Sequence, residues 1–137
     1  MRLAVLDTNV VVSAGINPGG APARLIIGWV LSGQVQSLIC PWIINEYREV
    51  ARREKLLRYG FPPKWLEFLI AGSLELPDPR PWPRQIPDPK DAPFLALAHA
   101  AGALLVMGNL KHFPERARNG VKLLSPAEYL AHLGEGD

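Results

Sequence analysis

Short apolar runs alternate along this chain with longer stretches of helical period. Leu3 to Leu6 is unbroken and apolar and stops at Asp7, the mark of a short strand buried on both faces. Thr8 to Ala14 predicts a helix, which Asn17-Pro18-Gly19-Gly20 ends. Ala21 to Leu31 sets Leu25 and Trp29, with Ile26 and Val30 beside them, on one helix face as far as Gly33. Val35 to Cys40 reads as a second strand. Pro41 suits a first helical turn, and Trp42 to Leu57 is the longest predicted helix. Pro62-Pro63 opens a shorter one through Ala71, with Trp65, Phe68 and Leu69 at helical spacing. Pro77 to Pro93 holds seven prolines and predicts a rigid extended crossover. Asp91 to Ala101 is a helix that stops at Gly102. Ala103 to Met107 and Val121 to Leu124 are strands. Ser125-Pro126-Ala127-Glu128 is a capping box, so Ala127 to Leu133 is a final helix. This alternation predicts an α/β fold around a central, mostly parallel sheet.

A length of 137 residues fits one domain, 1–133, with a frayed tail at 134–137. A chain of this size buries roughly two thirds of its unfolded surface and needs no disulfide or structural metal. The lone Cys40, inside an apolar run, reads as a buried structural thiol and suits a reducing compartment. The opening apolar run is too short for a signal peptide, and no stretch reaches the ~18 apolar residues of a membrane span. A cytoplasmic protein without membrane contact is therefore expected. The net charge of +2 is a weak pointer to a polyanionic partner. Arg48, Arg52, Arg53, Lys55 and Arg58 form the densest basic cluster, either a solvated helix face or a phosphate contact.

The candidate chemistry lies where strands end and helices begin. Asp7 closes the first apolar run, Glu46 lies on the helix after the second, Asp88 and Asp91 open the next helix, and Gly108-Asn109 closes the last long run. In a parallel sheet these positions can share one edge, where open α/β proteins bind ligands. Carboxylates gathered there repel one another unless a cation sits among them. Oxygen-only donors suit Mg²⁺ or Mn²⁺. Each residue also has a plainer reading: Asp7 and Asp91 as helix caps, Glu46 as an exposed helix residue, and Asp88 and Asn109 as turn residues. Thr8 could orient a water or phosphate, or only pack. Asn9 could hydrogen-bond the neighbouring acids. Lys111 and His112 could touch a phosphate or form a surface loop. Trp82 could stack on a base or pack over the sheet. His99 and His132 have no metal-ligand spacing, which leaves no zinc site. No glycine-rich phosphate loop is present.

Val5-Leu6-Asp7-Thr8-Asn9-Val10, Glu46, the segment from Asp88-Pro89-Lys90-Asp91 to Ala98, and Ala103 to Asn109 followed by Leu123-Leu124-Ser125-Pro126 together resemble the PIN domain. More closely, they resemble small prokaryotic PIN proteins akin to VapC, the toxins of toxin–antitoxin pairs. The resemblance covers nearly the whole chain. It implies a three-layer α/β/α fold and a metal-dependent ribonuclease that leaves 5′-phosphate and 3′-hydroxyl ends. Asp7, Glu46 and Asp91 fall on the family's acidic metal-binding positions, with Asp88 and Asn109 as further candidates and Thr8 as the small hydroxyl residue after the first acid. Arg48, Lys111 and His112 are candidate RNA contacts. RNA, a cognate antitoxin and a second copy of the chain are the implied partners. Asn109 is a departure, since the family commonly carries Asp there. That departure keeps a second expectation open, a weakened PIN-fold module that binds RNA or protein without cleaving.

Overall fold

The computed structural model describes residues 2–108, 110 and 113–134. Five strands, β1 (Arg2–Leu6), β2 (Val35–Ile39), β3 (Leu74–Glu75), β4 (Leu104–Val106) and β5 (Leu123–Leu124), form one sheet in the order β3-β2-β1-β4-β5. Every pairing is parallel. The expected α/β/α layering is what forms. Parallel strands need crossovers, supplied by α1 (Thr8–Ile16) and α2 (Ala21–Leu25) after β1, by α3 (Pro41–Ala51), α4 (Glu54–Arg58) and α5 (Pro63–Ala71) after β2, and by α6 (Ala92–Ala101) before β4, while α7 (Pro126–His132) follows β5. β1 is the pivot, because the chain leaves it toward β2 and later returns to its other side at β4. A crevice opens at the carboxyl ends of the strands at such a reversal. Val5, Leu6, Leu105 and Val106 are almost fully buried, which explains their unbroken apolar runs.

The structure departs from the sequence expectations in four places. The helix expected from Trp42 to Leu57 breaks at Arg52 and Arg53, where Arg53 turns to an extended conformation and starts α4. The bend lets Leu56 and Phe61 reach the core and leaves Arg52 exposed. The second helix widens into a π turn at Ile26–Val30. β3 is only two residues long, and its exposed Leu74-Glu75 lacks the apolar run that marks the other strands. The last strand is Leu123–Leu124, shorter than expected. The remaining punctuation behaves as its chemistry dictates. Gly102 ends α6 in the left-handed region, φ 65°. Ser125 Oγ accepts from the Glu128 N–H at 3.1 Å while Glu128 accepts from the Ser125 N–H at 2.8 Å. Cys40 is buried. Among the described residues, no single helix is long and apolar enough to cross a membrane.

Candidate active site

The carboxyl edge of the sheet is tied together before any acid is considered. The Asp7 N–H donates to the Val106 carbonyl at 2.9 Å, extending the β1–β4 ladder by one rung. Tyr47, fully buried on α3, donates its hydroxyl to the Leu6 carbonyl at 2.5 Å. Trp42 on α3 meets Phe94 on α6 edge to face, with centroids 5.9 Å apart. The end of β1, the helix that carries Glu46 and the helix that follows Asp91 are thus fixed relative to one another.

Asp7, Thr8, Asn9, Glu46, Asp88 and Asp91 line one cleft of about 230 Å³ at that edge, together with Val50, Arg53, Lys90 and Phe94. Asp7 is buried, with 8% of its surface exposed. Glu46 and Asp91 are half-buried, and Asp88 and Asn9 are exposed. Asp7 occupies the cap position of α1 but makes no capping hydrogen bond. Burial, the charge of Asp91 and, less strongly, that of Glu46 raise its pKa from 3.8 to about 6. The N–H groups of Asn9 and Thr8 pull the other way. Asp88 does serve as a turn residue: its carboxylate accepts the Lys90 N–H at 3.0 Å. The buried Thr8 Oγ1 has no hydrogen-bond partner. A buried hydroxyl left alone costs about 1–3 kcal/mol, so an unpaired one in a cleft wall marks room for a polar guest.

This donor set fits a hard cation. Among the described residues, no three His, Cys, Asp or Glu side chains are arranged to enclose an ion by themselves. Mg²⁺ does not require such a cage, because it usually takes one or two carboxylates and keeps its waters. A buried Asp7 whose charge is opposed by burial and by two further acids, with an orphaned hydroxyl beside it, is the arrangement a cation would relieve.

Arg48 does not line the cleft. Its guanidinium grips Glu67 on α5 at 2.9 and 2.6 Å. Asn109, Lys111 and His112 lie outside the described residues. The sequence did not plainly mark Arg53, Lys90 and Phe94 as cleft residues, nor Tyr47 as the anchor of the strand end beside them. For Arg53 a signal existed: Glu46, Val50 and Arg53 are spaced i, i+4, i+7, one helix face.

A profile of the PIN domain matches residues 3–111. Among curated proteins no sequence matched. Three solved structures share the fold at low identity. VapBC2 from Rickettsia felis, bound to a DNA fragment from its promoter, has a chain with TM-score 0.63 and 18% identity, covering 90% of this chain and 98% of that one. FitAB bound to an IR36 DNA fragment gives 0.59 and 18%, covering 90% and 94%. FitAcB from Neisseria gonorrhoeae gives 0.58 and 17%, covering 90% and 98%.

Proposed function

Since the chain belongs to the PIN domain family, we propose that it is a divalent-metal-dependent endoribonuclease that hydrolyses RNA phosphodiester bonds. The observation that carries this reading is the convergence of Asp7, Glu46 and Asp91 on one cleft beside the orphaned Thr8 hydroxyl. Asp7 and Asp91 would hold Mg²⁺ or Mn²⁺ directly, and Glu46 directly or through water, with Asp88 and Asn109 as outer contacts. When bound, the ion supplies phosphate neutralisation and acidifies water. The chain's own groups do the remaining work. Asp7 is held rigidly by the Val106 carbonyl, and Tyr47 fixes the strand end in front of it. Thr8 Oγ1 can donate to a phosphate oxygen or accept from a water. Asn9 can hydrogen-bond a phosphate or an acid at the mouth. Arg53 and Lys90 bring positive charge to a cleft that acids alone would close to RNA.

The VapBC2 and FitAB assemblies among the structural neighbours support a cognate antitoxin as partner and the role of toxin in such a pair. The single buried cysteine supports residence in the reducing cytoplasm.

The test is cleavage of a labelled single-stranded RNA pool with Mg²⁺ or Mn²⁺, beside chelator and Asp7→Asn controls. Cleavage that needs both metal and Asp7 is the expected result. A second reading, a PIN-fold module that binds without cleaving, rests on Asn109 standing where the resemblance expects Asp. If the wild type is inert and Asn109→Asp cleaves, that second reading replaces the first. If neither cleaves and calorimetry detects no metal binding, the nuclease assignment fails.

A further inference from the structure

A cavity larger than the acidic cleft lies elsewhere on the molecule. It has a volume of about 550 Å³ and lies at the opposite, amino-terminal edge of the sheet, where Arg2, Lys122, His99 and His132 line it without a single carboxylate. It shares His99 and Asn119 with a neighbouring cavity of about 470 Å³. That cavity in turn shares Arg80, Trp82 and Ala96 with a third of about 350 Å³, which ends on Trp42 and Pro89. The three form one groove along the outer side of α6. The groove meets the acidic cleft at the 88–94 turn, whose residues divide between them: Asp88, Lys90, Asp91 and Phe94 line the cleft, while Pro89, Ala92 and Pro93 line the groove.

We propose that this groove is a path for single-stranded RNA leading away from the cleft. The inference rests on the nuclease reading of the cleft. Charge is the first argument. Arg2, Arg80 and Lys122 are exposed along the groove. The ion pairs among the described residues, Arg48–Glu67 and Arg58–Glu54, involve none of them. The one acid in the walls, Asp78, is occupied by the Trp42 N–H at 3.0 Å. The second argument is flat apolar surface between the charges. Trp82 is half-buried and held in place, its indole N–H donating to the Ala117 carbonyl at 3.0 Å and its ring meeting His99 at 5.7 Å. Arg84 pins the same proline-rich strap to the Arg116 carbonyl and to Asn119, both at 2.9 Å. A stacking face that is already immobile loses little entropy when a base lands on it. Cations spaced among fixed aromatic rings are the recipe for sequence-tolerant single-strand binding. α6 is ~15 Å long, room for about four stacked nucleotides at ~3.4 Å each. An acidic peptide could use the cations but has no need of two indoles.

Fluorescence anisotropy in chelator tests the path without any cleavage. The full chain is compared on single-stranded RNAs of about four and about sixteen nucleotides. The wild type binds the longer RNA more tightly, by ~10-fold or more, and Arg2→Ala/Lys122→Ala loses most of that gain. Its logarithmic salt slope falls by ~1.4, two phosphate contacts at ~0.7 each on a single strand. Arg80→Ala and Trp82→Phe act in the same direction, and melts confirm that each variant is folded. Equal affinity of wild type and these variants for the long RNA overturns the proposal, as does poly-glutamate competing as well as RNA does. If no RNA is cleaved at all, the nuclease reading fails by itself, and binding in chelator still decides the groove.

Discussion

Asp7 shows what a single buried carboxylate does to the stability of this fold. Its pKa stands at about 6 in the folded chain against 3.8 as a free side chain, chiefly through burial and then through Asp91. The folded state therefore holds the proton more tightly than the unfolded state between those values, and stability falls as pH rises through them. A shift of this size corresponds to about 3 kcal/mol, fully lost above pH ~6 and regained below pH ~4. Asp7→Asn keeps the shape and deletes the charge. In chelator at pH 8 it is expected to melt higher than wild type by an amount on the order of 2–3 kcal/mol, with the gain shrinking toward pH 4. Thermal melts across that range check it, and a lower melting temperature for Asp7→Asn at pH 8 would remove the crowded-cleft argument. Metal should erase the difference by stabilising the wild type alone.

Between elements, the C-terminal end of α1 packs closely against the loop after α4. A Cβ placed on Gly15 would overlap the Phe61 ring, with Cδ2 at 2.7 Å and Cε2 nearer still. Phe61 is buried and also meets Trp65 edge to face at 6.0 Å, so it has nowhere to retreat. Gly15→Ala is expected to destabilise by about 1–3 kcal/mol despite the better helix propensity of alanine. A denaturant midpoint unchanged from wild type would show that the ring moves freely. The same joint marks how far the sequence is legible. Apolar runs announce β1, β4 and most of β2, because a strand buried on both faces is largely apolar. The gathering of Asp7, Glu46 and Asp91 follows from that topology. The break at Arg52-Arg53 is illegible, because both halves keep helical period and only the pull of Leu56 and Phe61 into the core decides it. β3 is illegible for the opposite reason, since two exposed residues carry no pattern. Arg53 was legible only through its spacing from Glu46 and Val50, since the bend on which it sits left no mark in the sequence.

For the whole molecule, the structure divides the apolar pairs Leu56-Leu57, Trp65-Leu66 and Phe68-Leu69 between core and surface. Leu56, Leu66 and Leu69 enter the core, while Leu57 and Phe68 stay 54% and 65% exposed, with Tyr59 at 63%. Large rings and leucines left in water on neighbouring helices favour self-association. We expect a dimer by sedimentation at micromolar concentration and a monomer after Leu57→Asp/Phe68→Asp, whereas a wild-type mass of one chain would refute pairing. The sheet order carries a consequence of a different kind, in time. β1 is synthesised first and sits at the centre, yet its second neighbour begins only at Leu104. The Asp7 N–H cannot find the Val106 carbonyl, nor Asp7 face Asp91, until most of the chain has emerged from the ribosome. Nascent chains halted before Leu104 should leave β1 open to protease, and early protection would contradict this. The acidic cleft is thereby incomplete for most of synthesis, and whatever chemistry it performs can begin only once β4 has docked beside β1.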